Sequence, residues 1–141
     1  MTAAGTYKKQ SSYPHMKPCD VEIWNRFIAA YPDAYDSVAY DVPLGDGRPV
    51  EVLVTQNLAD GWSILTKCKA DVVARKGDDV DIIEVKPRAT PAAMGQALHY
   101  AHLYARDFKE EGLITPTVIA GENLPNAAEV YAAHGVKLIL A

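Results

Sequence analysis

Two short apolar runs constrain this chain more than anything else in it. They are KADVVAR (Lys69–Arg75) and DIIEVK (Asp81–Lys86), and each carries an acid well inside it, Asp71 and Glu84. Both are rich in Val and Ile, as strands covered on both faces are. Between them the stretch KGDD (Lys76–Asp79) reads as a hairpin turn. If Gly77-Asp78 is its two-residue loop, Lys76 faces Asp79 and Asp71 falls directly across from Glu84. Such cross-strand pairs have Cβ atoms roughly 4.5–5.5 Å apart. Side chains alternate along a strand, so Lys86 projects on the same face as Glu84.

Facing carboxylates inside a sheet repel and lose hydration, which destabilises the fold unless something positive sits between them. A divalent cation with oxygen ligands and open positions, Mg2+ or Mn2+, suits that place. A lysine beside it can position or deprotonate a metal-bound water. Metal, water and lysine together make a site for phosphodiester hydrolysis. The plainer alternative is an exposed hairpin at a sheet edge, with Asp71, Glu84 and Lys86 as solvated ion-pair partners.

The rest of the chain reads as an α/β domain with a mixed central sheet flanked by helices. CDVEIWNRFIAAYP (Cys19–Pro32) has the apolar spacing of a helix face at Ile23, Trp24, Phe27, Ile28 and Tyr31, with Asp20 as its cap and Pro32 as its stop. Strands are expected over 36–45 and 50–56, the second after the turn GDGRP, and then over the two acid-bearing runs. A long helix follows from Pro91 to Glu111, capped by Thr90 and ended by Gly112. Its apolar stripe is Met94, Leu98, Ala101, Ala105 and Phe108. TPTVIAG (Thr115–Gly121) is an apolar strand, NAAEVYAAHG (Asn126–Gly135) a short helix and VKLIL (Val136–Leu140) a final strand. Helices after apolar strands suggest a sheet covered on both faces.

Within the long helix, Gln96 and Tyr100 stand four apart on one face, beside the stripe and near the sheet end where Glu84 and Lys86 emerge. Either could hold a phosphate or order the lysine; either could equally be a boundary residue. His99, His102 and Arg106 define the helix's outer face and read as solvent-exposed. Ser63 and Thr66 have no accompanying His/Asp pattern, so a serine hydrolase is not indicated. Trp24 and Trp62 read as packing residues.

Asp71, then Glu84-Val85-Lys86, then Gln96 and Tyr100 in a Q-x3-Y helix, resembles the PD-(D/E)XK nuclease superfamily. The RecB-like and phage-encoded members are the nearest in pattern. The resemblance implies a restriction-endonuclease-like αβββαβ core over roughly residues 20–140. It implies metal-dependent cleavage of DNA, with Asp71, Glu84 and the Val85 carbonyl on the metal and Lys86 orienting the attacking water. Glu22 on the first helix is the position that would match a further family acid. Ala70 stands where many members have proline. A dimer would supply the two sites needed to cut both strands of a duplex.

Composition leaves two function classes in play. The chain has 141 residues and a net charge of −4. That suggests one domain and does not advertise a nucleic-acid binder. Residues 1–18 form a locally basic arm, with Lys8, Lys9 and Lys17 among Tyr7 and Tyr13, ahead of a single domain at 19–141. The arm reads as a solvated tail or as a segment that touches phosphate or a partner. Cys19 and Cys68 have no metal-like spacing and read as reduced, which fits a cytoplasmic protein. No run is long enough to span a membrane and no secretory signal is evident. One class is a small nuclease of phage or mobile-element origin. The other is a structural virion protein on a nuclease-like fold, for example at a head–tail junction, engaging other virion proteins or further copies of itself through the arm.

Overall fold

The computed structural model describes residues 5–47, 56, 58 and 67–141. The strand expected over 50–56 lies outside these, apart from Gln56, which is helical. Trp62, Ser63 and Thr66 also lie outside them. The described elements are α1 (Pro18–Ala30), β1 (Ser37–Leu44), β2 (Cys68–Lys76), β3 (Asp79–Arg88), α2 (Pro91–Asp107), β4 (Ile114–Glu122), α3 (Ala127–Ala133) and β5 (Lys137–Leu140). The strands form one five-stranded sheet in the order β1-β2-β3-β4-β5. The β1/β2 and β2/β3 pairs are antiparallel, and β3/β4 and β4/β5 are parallel. The chain is thus α/β, with a mixed sheet flanked by helices on both faces. No helix among the described residues is long and apolar enough to cross a membrane.

One face of the sheet takes α1. Ile23, Trp24, Phe27 and Ile28 pack against Val38, Tyr40, Val72, Ala74, Ile83, Val85 and Ile119. Trp24 is fully buried and its Nε1 donates to the Tyr40 hydroxyl at 3.0 Å, which satisfies the one polar atom of the indole. The helix starts earlier than expected. Lys17 is the N-cap and Pro18 takes the first turn, so Asp20 is a first-turn acid rather than the cap.

The opposite face takes α2 and α3. Its stripe on α2 is Ala93, Ala97, Ala101 and Tyr104, small residues that let the helix sit close to the sheet. Met94 and Leu98 flank that stripe, and Ala105 is exposed rather than part of it. Thr90 caps α2 as expected, accepting from the Ala93 amide at 3.0 Å. The helix ends at Asp107, not near Gly112, because Phe108 is already extended. Gly112 has another reason to be glycine. A Cβ there would collide with the Asp78 carbonyl oxygen, so the loop before β4 presses directly on the β2–β3 turn.

Beyond the end of α2, Glu110 accepts both Arg75 guanidinium nitrogens at 2.8 Å and the Tyr104 hydroxyl at 2.7 Å. This ties β2 to the segment after the helix. The Arg75 hydrogen bonds are the main cause that holds the Glu110 carboxyl down to about 2. A depressed acid contributes stability that is present above its unfolded value, near 4.5, and lost as the pH falls towards 2. Arg75→Ala is therefore expected to cost about 1 kcal/mol at pH 7, with the half-exposed guanidinium discounted for screening. Most of the deficit should be gone at pH 2, as read by denaturant melts at both pH values.

Within residues 5–17 of the arm, Tyr7, Tyr13 and Met16 pack against the α1-side core rather than standing free in solvent. Gly5 bridges to Val38 on the outer side of β1, and Tyr13 is buried in the α1-side core against Tyr40. The Tyr13 hydroxyl donates to Asn25 on α1, and Tyr7 donates to the Tyr31 carbonyl. Lys8, Lys9 and Lys17 remain exposed.

Candidate active site

The β2/β3 turn forms as the sequence suggests: Gly77 has φ 58 and Lys76 faces Asp79. The register carries up the hairpin to Val72 facing Ile83, and there the ladder stops. Beyond that point β2 pairs only with β1, and β3 pairs only with β4. Asp71 and Glu84 are the next residues on the two diverging strands. They meet in a notch in the sheet rather than across a continued ladder.

The notch explains an unusual hydrogen bond. The Val85 amide donates to Asp71 Oδ2 at 3.0 Å, so a side chain takes the place of a backbone acceptor. Ile83 and Val85 pack on the α1 side, so alternation turns Glu84 and Lys86 towards α2. Glu84 is 2% exposed, and its Oε1 is buried with no hydrogen-bond partner. Lys86 Nζ stands 3.9 Å from Glu84 Oε2, an ion-pair distance too long for a hydrogen bond.

Electrostatics follow from that geometry. Burial, and then the Asp71 charge, push the Glu84 carboxyl far above the ordinary carboxylate range. Burial also raises Asp71, against the pull of the Val85 amide and Lys86. The pair in isolation holds a proton that two separate surface acids would have lost. Tyr100 joins them from α2: its phenol is raised by burial first, then by Glu84, Cys68 and Asp71. Gln96 is half-buried one turn earlier on the same helix face.

The site therefore brings together Asp71, Glu84, Val85, Lys86 and Tyr100. It does not bring in Glu22, which is exposed on α1. The first-helix acid that acts on the pair is Asp20, whose charge contributes to raising Asp71. The same position had a sufficient local explanation as a cap, which is why its second role is hidden in sequence. Among the described residues, no group of three or more His, Cys, Asp or Glu side chains is placed to hold a metal ion. The candidate donors are thus two carboxylates and a strand carbonyl. That set fits Mg2+, which keeps several waters and needs only one or two carboxylates. The orphaned Glu84 oxygen is the group that a cation would satisfy.

A second acid in the same strand behaves differently. Asp81 is buried on the α1 side, where it accepts from the Tyr35 hydroxyl at 2.6 Å and pairs with Lys137. Its charge is met within the fold, as that of a structural acid is. His99 and His102 are exposed, as their place on the outer face of α2 requires, and Cys19 and Cys68 are free thiols. Comparison with models of protein families, with curated proteins and with solved structures finds no match to this chain.

Proposed function

We propose that this protein is a divalent-metal-dependent nuclease that hydrolyses phosphodiester bonds in DNA. One observation carries the reading. A carboxylate with an unpartnered oxygen is buried against a second carboxylate, at a notch that also presents a lysine and a tyrosine. A fold that needed these residues only for stability gains nothing from this arrangement, because hydrophobic side chains of similar volume cost less to bury. DNA as the substrate is what the resemblance to PD-(D/E)XK nucleases implies.

In this reading Asp71 and Glu84, with the Val85 carbonyl, would hold Mg2+ or Mn2+. Such an ion would supply Lewis-acid polarisation and a more acidic water. Lys86 supplies fixed positive charge at the mouth of the notch, orienting the attacking water and offsetting charge that builds on the phosphate. Tyr100 and Gln96 donate to phosphate oxygens from the α2 side. The half-buried setting excludes part of the bulk water, which strengthens each of these interactions.

A structural virion role rests on an arm available to partners. Residues 5–17 instead place Tyr7 and Tyr13 against their own domain, and no observation favours that role over the nuclease. Incubation of the protein with end-labelled single-stranded and duplex DNA tests the reading. Cleavage is expected in Mg2+ or Mn2+ and none in EDTA. Intact DNA of both kinds under all metal conditions would sink it.

A further inference from the structure

Along β1, residues on one face change sides. Val38 and Tyr40 pack against α1, whereas Val42 and Leu44 pack on the α2 side. Strict alternation would put all four on one face. The residue at the change is Asp41, with φ 54, in the left-handed region that costs most L-residues roughly 1–2 kcal/mol and that Asp tolerates better than most.

The partner strand changes sides at the same level. Val72 and Ala74 pack against α1, and Ala70 packs on the α2 side. The register pairs Tyr40 with Val72 and Val42 with Ala70, which leaves Asp41 opposite Asp71 at the point of inversion. The two strands therefore turn over together, paired on either side of the inversion, while β3 keeps Ile83 and Val85 on the α1 side. That is where the β2/β3 ladder ends and the notch opens. The Asp41 carboxylate lies 3.2 Å from His15 Nε2 and 3.9 Å from Lys69 Nζ.

We propose that Asp41 is a positioning residue. Its left-handed backbone turns the β1–β2 ribbon away from β3, and this turn presents the Asp71 carboxylate to the Val85 amide and to Glu84. The proposal rests on the nuclease reading only for what the notch is used for.

The test compares Asp41→Gly and Asp41→Asn, which permit the left-handed backbone, with Asp41→Ala, which resists it. The readout is amide hydrogen exchange of Val85 measured against Ile82, a buried ladder residue, in the full chain. Val85 protection relative to Ile82 should persist in the Gly and Asn variants. In the Ala variant it should fall about tenfold. Equal Val85 protection in the Ala and Gly variants overturns the proposal, as does loss of protection in the Gly variant. If the Ala variant does not fold, a folded Gly variant with protected Val85 still supports the backbone role. A parallel Mn2+ titration separates the two readings. Absent Mn2+ binding by the wild type with the Gly–Ala contrast intact sinks the nuclease and leaves the role of Asp41 standing.

Discussion

Lys86→Ala is expected to lower metal-dependent DNA cleavage by at least about a hundredfold, the scale of losing one preorganised charge at a reacting phosphate. The protein should stay folded. The Lys86 side chain is about a third exposed, and its only ion pair among the described residues is the 3.9 Å approach to Glu84. Truncation there is expected to move stability by no more than about 0.5–1 kcal/mol. Mn2+ should still bind, because both carboxylates remain. The informative pattern is thus lost turnover with retained metal binding and an unchanged melt. Initial rates at saturating Mn2+, with calorimetric titration of the same samples, would show it. Wild-type rates in the variant would remove Lys86 from the mechanism.

Glu84→Gln should do the reverse to stability. In metal-free buffer at neutral pH, Glu84 is a buried acid beside another acid, with one oxygen that has no donor. Folding at neutral pH must put a proton on this acid, whereas an amide of the same shape is neutral in both states and brings two donors for Asp71. The gain expected is about 1–3 kcal/mol, or roughly 5 °C in melting temperature for a domain of this size. The pH dependence has a definite sign. Glu84 titrates above its ordinary value of 4.5 when folded, so the native state holds its proton more tightly than the unfolded chain. The associated stability is fully present below about 4.5 and drains away as the pH rises through the folded value. Wild type should therefore melt progressively earlier from acid towards alkaline pH, and the Gln variant should lack this slope. Mg2+ or Mn2+ should raise the wild-type melt at neutral pH and leave the Gln variant nearly unmoved. A Gln variant less stable than wild type without metal would mean that the pair is already satisfied in the apo protein.

These two results would separate catalysis from folding at a site whose parts were unevenly legible in sequence. The Gly77-Asp78 turn is a local signal, and a tight turn sets the register of the whole hairpin. That is why Asp71 and Glu84 could be brought to one level of the hairpin from spacing alone, although the ladder itself ends one pair earlier. Lys86 followed from alternation, and Tyr100 from helical periodicity. Glu22 was misplaced because helical spacing names a face but not the angle at which α1 crosses the sheet. Asp20 is the acid whose charge reaches Asp71. Asp81 looks like Glu84 in sequence, an acid in an apolar strand. Odd and even positions of β3 point to opposite faces, and only the partners on each face, Tyr35 and Lys137 against Asp71, separate a paired acid from a poised one.

Local chemistry in the sequence by itself determined α1, the two acid-bearing strands with their hairpin, the start of α2, and the meeting of two acids with a lysine. Turns, caps and apolar periods act over a few residues and are written where they act. The tertiary structure alone decided that Tyr7 and Tyr13 pack beside α1, that α2 stops at Asp107, and that β1 and β2 turn over together at Asp41 and Asp71. Each of these depends on contacts between residues far apart in the chain. The last depends also on a left-handed backbone at Asp41, a conformation held by the surrounding structure.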